Sequence, residues 1–197
     1  MTDQYIEVVT EVDLRRRVAQ LGTEIARDYE ARSPILIGIL TGCMPFIADL
    51  SRQIDLELSI DFLSLTRFGE DGRVGIALDL SLPVAGEDVI IVEDIVDTGL
   101  TLTSLRRIIE MHEARSVATV ALLDKAARRI VDVAVEYRGF EVGDEFLLGY
   151  GLDWEGRFRN LRSLWAVMDM AALRDHPGEF SMERFRAPLP AGVGSGR

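Results

Sequence analysis

The chain predicts an α/β fold built on a mostly parallel, twisted sheet flanked by helices. Three observations carry this. Apolar runs of strand length recur at 35–40, 89–95 and 117–123. Stretches with apolar residues at helical spacing lie between them. The runs are apolar at nearly every position, as in strands covered on both faces.

Each element follows in order. Thr10 stands where it can cap a first helix, in which Leu14, Val18, Leu21 and Ile25 share one face and charges fill the other. Pro34 ends that stretch. The strand at 35–40 leads through Thr41-Gly42 into a second helix carrying Phe46, Ile47 and Leu50. A strand at 58–65 precedes a short polar loop at 66–73 and an edge strand at 74–80. The core strand at 89–95 runs into a helix from about Leu100, with Leu105, Ile108, Ile109 and His112 near one face. Further strands are expected at 117–123, 146–152 and 163–168. In open sheets of this kind, ligands bind beyond the carboxyl ends of the strands. Thr41-Gly42, 93–101, Asp124-Lys125 and Leu152-Asp153 all fall at such ends and should converge on one edge. Residues 1–186 read as one domain, and the Pro- and Gly-rich 187–197 as a flexible tail.

Composition narrows the function. The chain has 197 residues, 48% hydrophobic and 28% charged, enough for a sizeable core. Charges break the apolar runs, so none is long enough to span a bilayer. Met1-Thr2-Asp3-Gln4 lacks the basic and apolar regions of a secretory signal. The single cysteine, Cys43, excludes an intrachain disulfide and reads as a small buried filler. These features favour the cytoplasm. A net charge of −11 argues against nonspecific nucleic-acid binding, which needs a basic surface. It leaves room for a local anion site made of backbone amides and a few cations. His112 and His176 are isolated in the sequence and read as ordinary packing or solvation rather than a metal site.

The chemistry concentrates in residues 89–102. An apolar strand is interrupted by Glu93 and Asp94, and Asp97 opens the turn that follows. Burying unpaired carboxylates costs several kcal/mol, on the order of a domain's whole stability. Residues 97–101 mark a strand becoming a helix, whose free amides and positive dipole end suit an anion. Gly99 lets the chain turn sharply, and Thr98 and Thr101 add hydroxyls. The spacing is not that of a P-loop, so the turn reads as a monophosphate cradle. An acidic pair beside it suits sugar hydroxyls, and together they suggest a ribose 5-phosphate. A plain helix cap with solvated acids is the alternative, weakened by the acidic pair within the strand.

These residues resemble the phosphoribosyl-pyrophosphate signature of type I phosphoribosyltransferases. The Glu93-Asp94 pair followed by Asp97-Thr98-Gly99 is most similar to the hypoxanthine-guanine branch. Leu122-Leu123-Asp124-Lys125, Gly139-Phe140-Glu141-Val142, 146–153 and Phe158-Arg159-Asn160-Leu161 resemble it in order and spacing. The likeness runs from about Leu36 to Leu161. It implies the fold of that family, with a small hood formed by the N- and C-terminal segments.

The resemblance also implies an activity: transfer of the phosphoribosyl group from phosphoribosyl pyrophosphate to hypoxanthine or guanine, giving IMP or GMP in purine salvage. Asp97 would face purine N7 as the catalytic acid–base group, aided by charge complementarity because aspartate is a weak base. Glu93 and Asp94 would hold the ribose hydroxyls, directly or through metal. Asp97, Thr98, Gly99, Leu100 and Thr101 would hold the 5-phosphate. Lys125 would donate to purine O6, selecting oxo over amino purines. Phe146 would stack on the base, and Leu147 would read it through its backbone. Thr41, Gly42 and Arg159 would contact pyrophosphate, with a non-proline cis peptide between Leu40 and Thr41. Asp153, with Glu93 and Asp94, would serve Mg²⁺, which favours oxygen ligands and substrate phosphates. A homodimer or homotetramer is expected.

Two features depart from the family pattern. Thr41 stands where many relatives carry a basic residue. In the short loop Thr66 to Gly72, Arg67-Phe68-Gly69 replaces a Ser-Tyr-Gly motif and a longer lid, and Arg67 is a candidate for the missing positive charge. Two readings therefore stay open beside the main one: a noncatalytic regulatory homologue, and a transferase for another base such as xanthine.

Overall fold

The computed structural model describes residues 4–68, 73–175, 180–182 and 185. Its main sheet has six strands in the order β4-β3-β2-β5-β6-β7. They span Ile35–Ile39 (β2), Ser59–Phe68 (β3), Arg73–Leu78 (β4), Asp88–Val96 (β5), Ser116–Asp124 (β6) and Tyr137–Glu141 (β7). All pair in parallel except β4, which returns antiparallel on the β3 edge. A second, antiparallel sheet joins β1 (Tyr5–Val9), β9 (Leu164–Val167) and β8 (Phe146–Leu148). It brings an N-terminal strand and a late strand together, as the expected hood requires.

Alternation along β2 and β5 explains the two faces of the main sheet. Leu36, Ile90 and Val92 pack with α1 (Glu11–Asp28) and α2 (Met44–Ser51) through Leu14, Val18, Leu21, Phe46 and Leu50. Ile35, Ile37, Val89 and Ile91 pack with α3 (Leu100–Met111) through Leu102, Leu105 and Ile109. Successive strand residues point to opposite faces, so covering both faces requires a continuous apolar run. The hood has its own cluster, in which Tyr5, Phe158, Trp165, Phe180 and Phe185 meet ring to ring. A short helix, α4 (Met170–Asp175), adds Leu173 to it.

Thr10 caps α1 as expected, its Oγ1 accepting from Asp13 N at 3.1 Å. Elsewhere the structure corrects the sequence reading. β3 continues to Phe68 and β4 starts at Arg73, because antiparallel pairing gives the polar residues of that hairpin a hydrogen-bonded ladder. Of the loop expected at 66–73, residues 69–72 lie outside the described residues, as do His176 and 187–197, where a tail is expected. The strand expected at 146–152 stops at Leu148. Gly149, Tyr150 and Gly151 follow with φ of 96°, 43° and 102°, conformations that cannot extend a strand. The strands β1 and β7 are additions to the sequence reading.

One buried carboxylate pins the β4–β5 connection. Asp61 accepts hydrogen bonds from Phe62 N (2.8 Å), Ser81 N (2.7 Å), Ser81 Oγ (3.0 Å) and Leu82 N (2.9 Å). Burial raises the pKa of its carboxyl, but those donors outweigh burial and lower it below the usual value. The resulting stabilisation is present above about pH 4, the unfolded value, and is lost as pH falls through the lower folded value. Asp61→Ala should cost about 2 kcal/mol at neutral pH by removing the shared acceptor of these part-buried donors. Its deficit against wild type should shrink in acid denaturation profiles below pH 4.

Candidate active site

At the carboxyl ends of β2 and β5 a cavity of about 580 Å³ opens. Thr41, Gly42, Glu93, Asp94, Asp97, Thr98, Gly99, Thr101, Asp153 and Arg159 all line it. Ten of the fourteen residues expected at the site therefore meet in one hollow. Leu100 is in the same turn, but its side chain is exposed. Lys125, Phe146 and Leu147 stand beside the cavity rather than in its lining.

The turn at 97–101 has the form its sequence suggests. Gly99 adopts φ 86°, in the left-handed region, immediately before α3. A Cβ there would also lie 2.7 Å from Val131 O, so both conformation and space demand glycine. The first intrahelical amide of α3 belongs to Thr103, which donates to Gly99 O at 2.9 Å. The amides of Thr101 and Leu102 thus face forward at a positive dipole end. Ile130 N and Val131 N both donate to Thr98 O, at 2.9 and 3.1 Å, and hold the turn from behind.

Opposite lies the Leu40-Thr41-Gly42 turn, with a cis peptide between Leu40 and Thr41. A Cβ on Gly42 would fall inside the Asp94 carboxylate. Glycine here is what lets the acidic pair approach the turn backbone. Gly156 N donates to Asp153 Oδ2 at 2.7 Å, and Asp153 Oδ1 pairs with Arg159 at 2.7 Å. Arg159 also donates to Gly151 O at 2.6 Å.

Electrostatically, the acidic pair is the unusual feature. Burial, then the neighbouring Asp94, holds Glu93 well above the ordinary carboxyl range. Burial likewise raises Asp94, opposed by the amide of Ile95 and by Arg159. Glu93 has no hydrogen-bonding partner among the described residues. A buried, unpartnered Glu93 beside an only partly compensated Asp94 fits a ligand that brings hydroxyl donors or a cation. No group of three or more His, Cys, Asp or Glu that could enclose a metal occurs among the described residues. Glu93, Asp94 and Asp153 bring carboxylate oxygens to the cavity, the ligand type that Mg²⁺ favours. Burial pushes the Cys43 thiol up to about 12, consistent with an inert filler.

Lys125 follows β6 directly and is buried. Its amide donates to Val96 O at 2.9 Å, and its Nζ to Glu145 O (2.7 Å) and Asp144 O (3.3 Å). This places an ammonium between the end of β6 and the start of β8, where Phe146 meets Trp154 edge to face. A residue absent from the sequence reading, Arg128, donates from Nε to Asp97 Oδ1 at 2.6 Å and pairs with Asp144. The Arg128-Arg129 doublet close behind Lys125 was the available signal.

Residues 10–155 match the phosphoribosyl transferase domain family, and the chain belongs to it. The hypoxanthine-guanine phosphoribosyltransferase of Bacillus subtilis is 40% identical over 158 residues, covering 78% of this chain and 88% of that protein. The hypoxanthine phosphoribosyltransferase of Haemophilus influenzae is 40% identical over 176 residues, covering 85% and 98%. The bifunctional protein TilS/HprT of Listeria monocytogenes is 41% identical over 158 residues, but the match spans only 24% of its length. A crystal structure of a Bacillus anthracis hypoxanthine-guanine phosphoribosyltransferase superposes with a TM-score of 0.80 at 38% identity, covering 82% of this chain and 98% of that one. The fold is that of the type I phosphoribosyltransferases.

The acidic pair yields a test. A carboxyl whose pKa is raised on folding favours the folded state at low pH and loses that benefit as pH rises through the folded value. Glu93→Gln should therefore melt higher than ligand-free wild type at pH 8. The gap should close toward pH 4, as read by calorimetry across that range.

Proposed function

We propose that the protein transfers the phosphoribosyl group from phosphoribosyl pyrophosphate to hypoxanthine, guanine or both, releasing pyrophosphate and giving IMP or GMP. The observation that carries this reading is a single cavity that joins a phosphate-sized helix N-terminus, a desolvated acidic pair and the Thr41-Gly42 turn. A buried lysine stands at its side.

Each residue has a role in that chemistry. Amides and hydroxyls of residues 97–101 hold the 5-phosphate, and Glu93 and Asp94 accept from the ribose hydroxyls. Thr41, Gly42 and Arg159 hold the pyrophosphate. Purine N9 bonds to C1 as the C1–O bond to pyrophosphate breaks. Positive charge that develops on the ribose meets the acidic pair, which is worth more in a desolvated site than in water. Asp97 accepts at N7 and orients the base. Lys125 donates to O6 and disfavours a 6-amino group, which would set donor against donor. Phe146 packs on the ring, and the Leu147 backbone reads its edge. Asp153, Glu93 and Asp94 are the groups that would serve Mg²⁺, which when bound neutralises charge on the departing pyrophosphate.

The proposal includes one catalytic unit over 1–186, a cytoplasmic location and a homodimer or homotetramer. Exposed Ile60, Ile76 and Leu78 on β3 and β4 support self-association.

The direct test is product formation from hypoxanthine, guanine, xanthine and adenine with phosphoribosyl pyrophosphate and Mg²⁺. Nucleotide from a 6-oxopurine is expected, and no product from any base would overturn the assignment. Lys125→Ala should lower kcat/KM for hypoxanthine about a hundredfold, the loss of a charge-assisted contact from a desolvated donor. Asp97→Ala should lower kcat by about a hundredfold or more.

A further inference from the structure

The groups assigned to the base come from separate parts of the chain. Asp97 ends β5, Lys125 ends β6, and Phe146 starts β8 in the other sheet. One side chain spans them. Arg128, at the end of the single helical turn Ala126–Arg128, donates from Nε to Asp97 Oδ1 at 2.6 Å, and its Nη1 pairs with Asp144 Oδ1. The carbonyls of Asp144 and Glu145 are the acceptors for Lys125 Nζ. A planar guanidinium can grip two carboxylates at once, which an ammonium does poorly.

The neighbouring arginine does a different task. Arg129 donates to Asp97 O at 2.6 Å and pairs with Asp124, which is fully buried. The amides of Ile130 and Val131 hold Thr98 O. The backbone of the phosphate turn is thus secured without Arg128, whose contact within that turn is with the Asp97 carboxylate.

We propose that Arg128 is a positioning residue of the base subsite, aligning the Asp97 carboxylate with the Asp144-Glu145 segment that seats Lys125. It tethers the N7-facing group to the O6-facing group, so the two present one fixed edge to the purine. This rests on the reading of the cavity as a purine phosphoribosyltransferase site.

Steady-state kinetics of wild type, Arg128→Ala, Arg128→Lys and Asp144→Ala with phosphoribosyl pyrophosphate and hypoxanthine test it. In Arg128→Ala the KM for hypoxanthine should rise about tenfold, reflecting loss of a charge-assisted contact between half-exposed groups. The KM for phosphoribosyl pyrophosphate and the melting temperature should hold. Arg128→Lys should not restore the base KM, and Asp144→Ala should add little on top of Arg128→Ala, since both break one bridge. An unchanged base KM, or both KM values rising together with a lower melting temperature, would overturn the positioning role alone. A wild type inert with every base would overturn it together with the functional reading beneath it.

Discussion

Glu93 and Asp94 sit side by side at the end of a core strand with water largely removed from them. That desolvated acidic pair constrains everything around it. Gly42 must lack a side chain because the Asp94 carboxylate occupies that space. The thiol of Cys43 is raised by burial and by both carboxylates, and stays inert. Arg159 lowers Asp94 only in part, and the same guanidinium is paired with Asp153. The free protein therefore leaves the pair short of donors and positive charge, which a ligand bringing hydroxyls or a cation is suited to supply. Strain of this kind in the ground state is a common feature of sites built to bind charge.

The fold is arranged to hold that pair in place. Strand β5 is central, hydrogen-bonded to β2 on one side and β6 on the other. Helices on both faces dehydrate it. The turn at 97–101 continues from the same strand, so the acidic pair and the amides at the start of α3 enter the cavity from one continuous segment. Residues 128–131 return beneath that turn and fix it by backbone and side-chain hydrogen bonds. The hood then contributes Phe146 and Asp153 from outside the main sheet. In the proposed assignment the sugar side is built on one strand and helix, whereas the base side draws on the ends of β5, β6 and the start of β8.

The legible parts of the sequence were those where one local pattern decides the outcome. The cores of β2, β5 and β6 are apolar at nearly every position because both faces are covered, and Thr10 caps α1 through purely local contacts. Gly99 could be foreseen because a strand-to-helix turn needs it. The rest depends on distant partners. Strand β1 alternates half-buried and exposed residues, and it is defined by pairing with β9, far away in sequence. Strand β7 is a five-residue edge whose place is set by β6. The run at 146–152 looks uniformly apolar, yet three successive left-handed residues end the strand early. The Arg128-Arg129 doublet marks basic residues near the site, but the partners of Arg128, Asp97 and Asp144, lie 31 and 16 residues away, so its role does not follow from the local sequence.

Proton linkage tests the central claim most directly. A ligand that stabilises the charged form of a carboxyl with a raised pKa must expel a proton on binding. Titration calorimetry of phosphoribosyl pyrophosphate with Mg²⁺, run in buffers of different ionisation enthalpy at one slightly acidic pH, counts those protons. Comparing wild type with Glu93→Gln cancels the ligand's own titration. Greater proton release by wild type is the predicted result, and equal release by the two proteins would contradict the account.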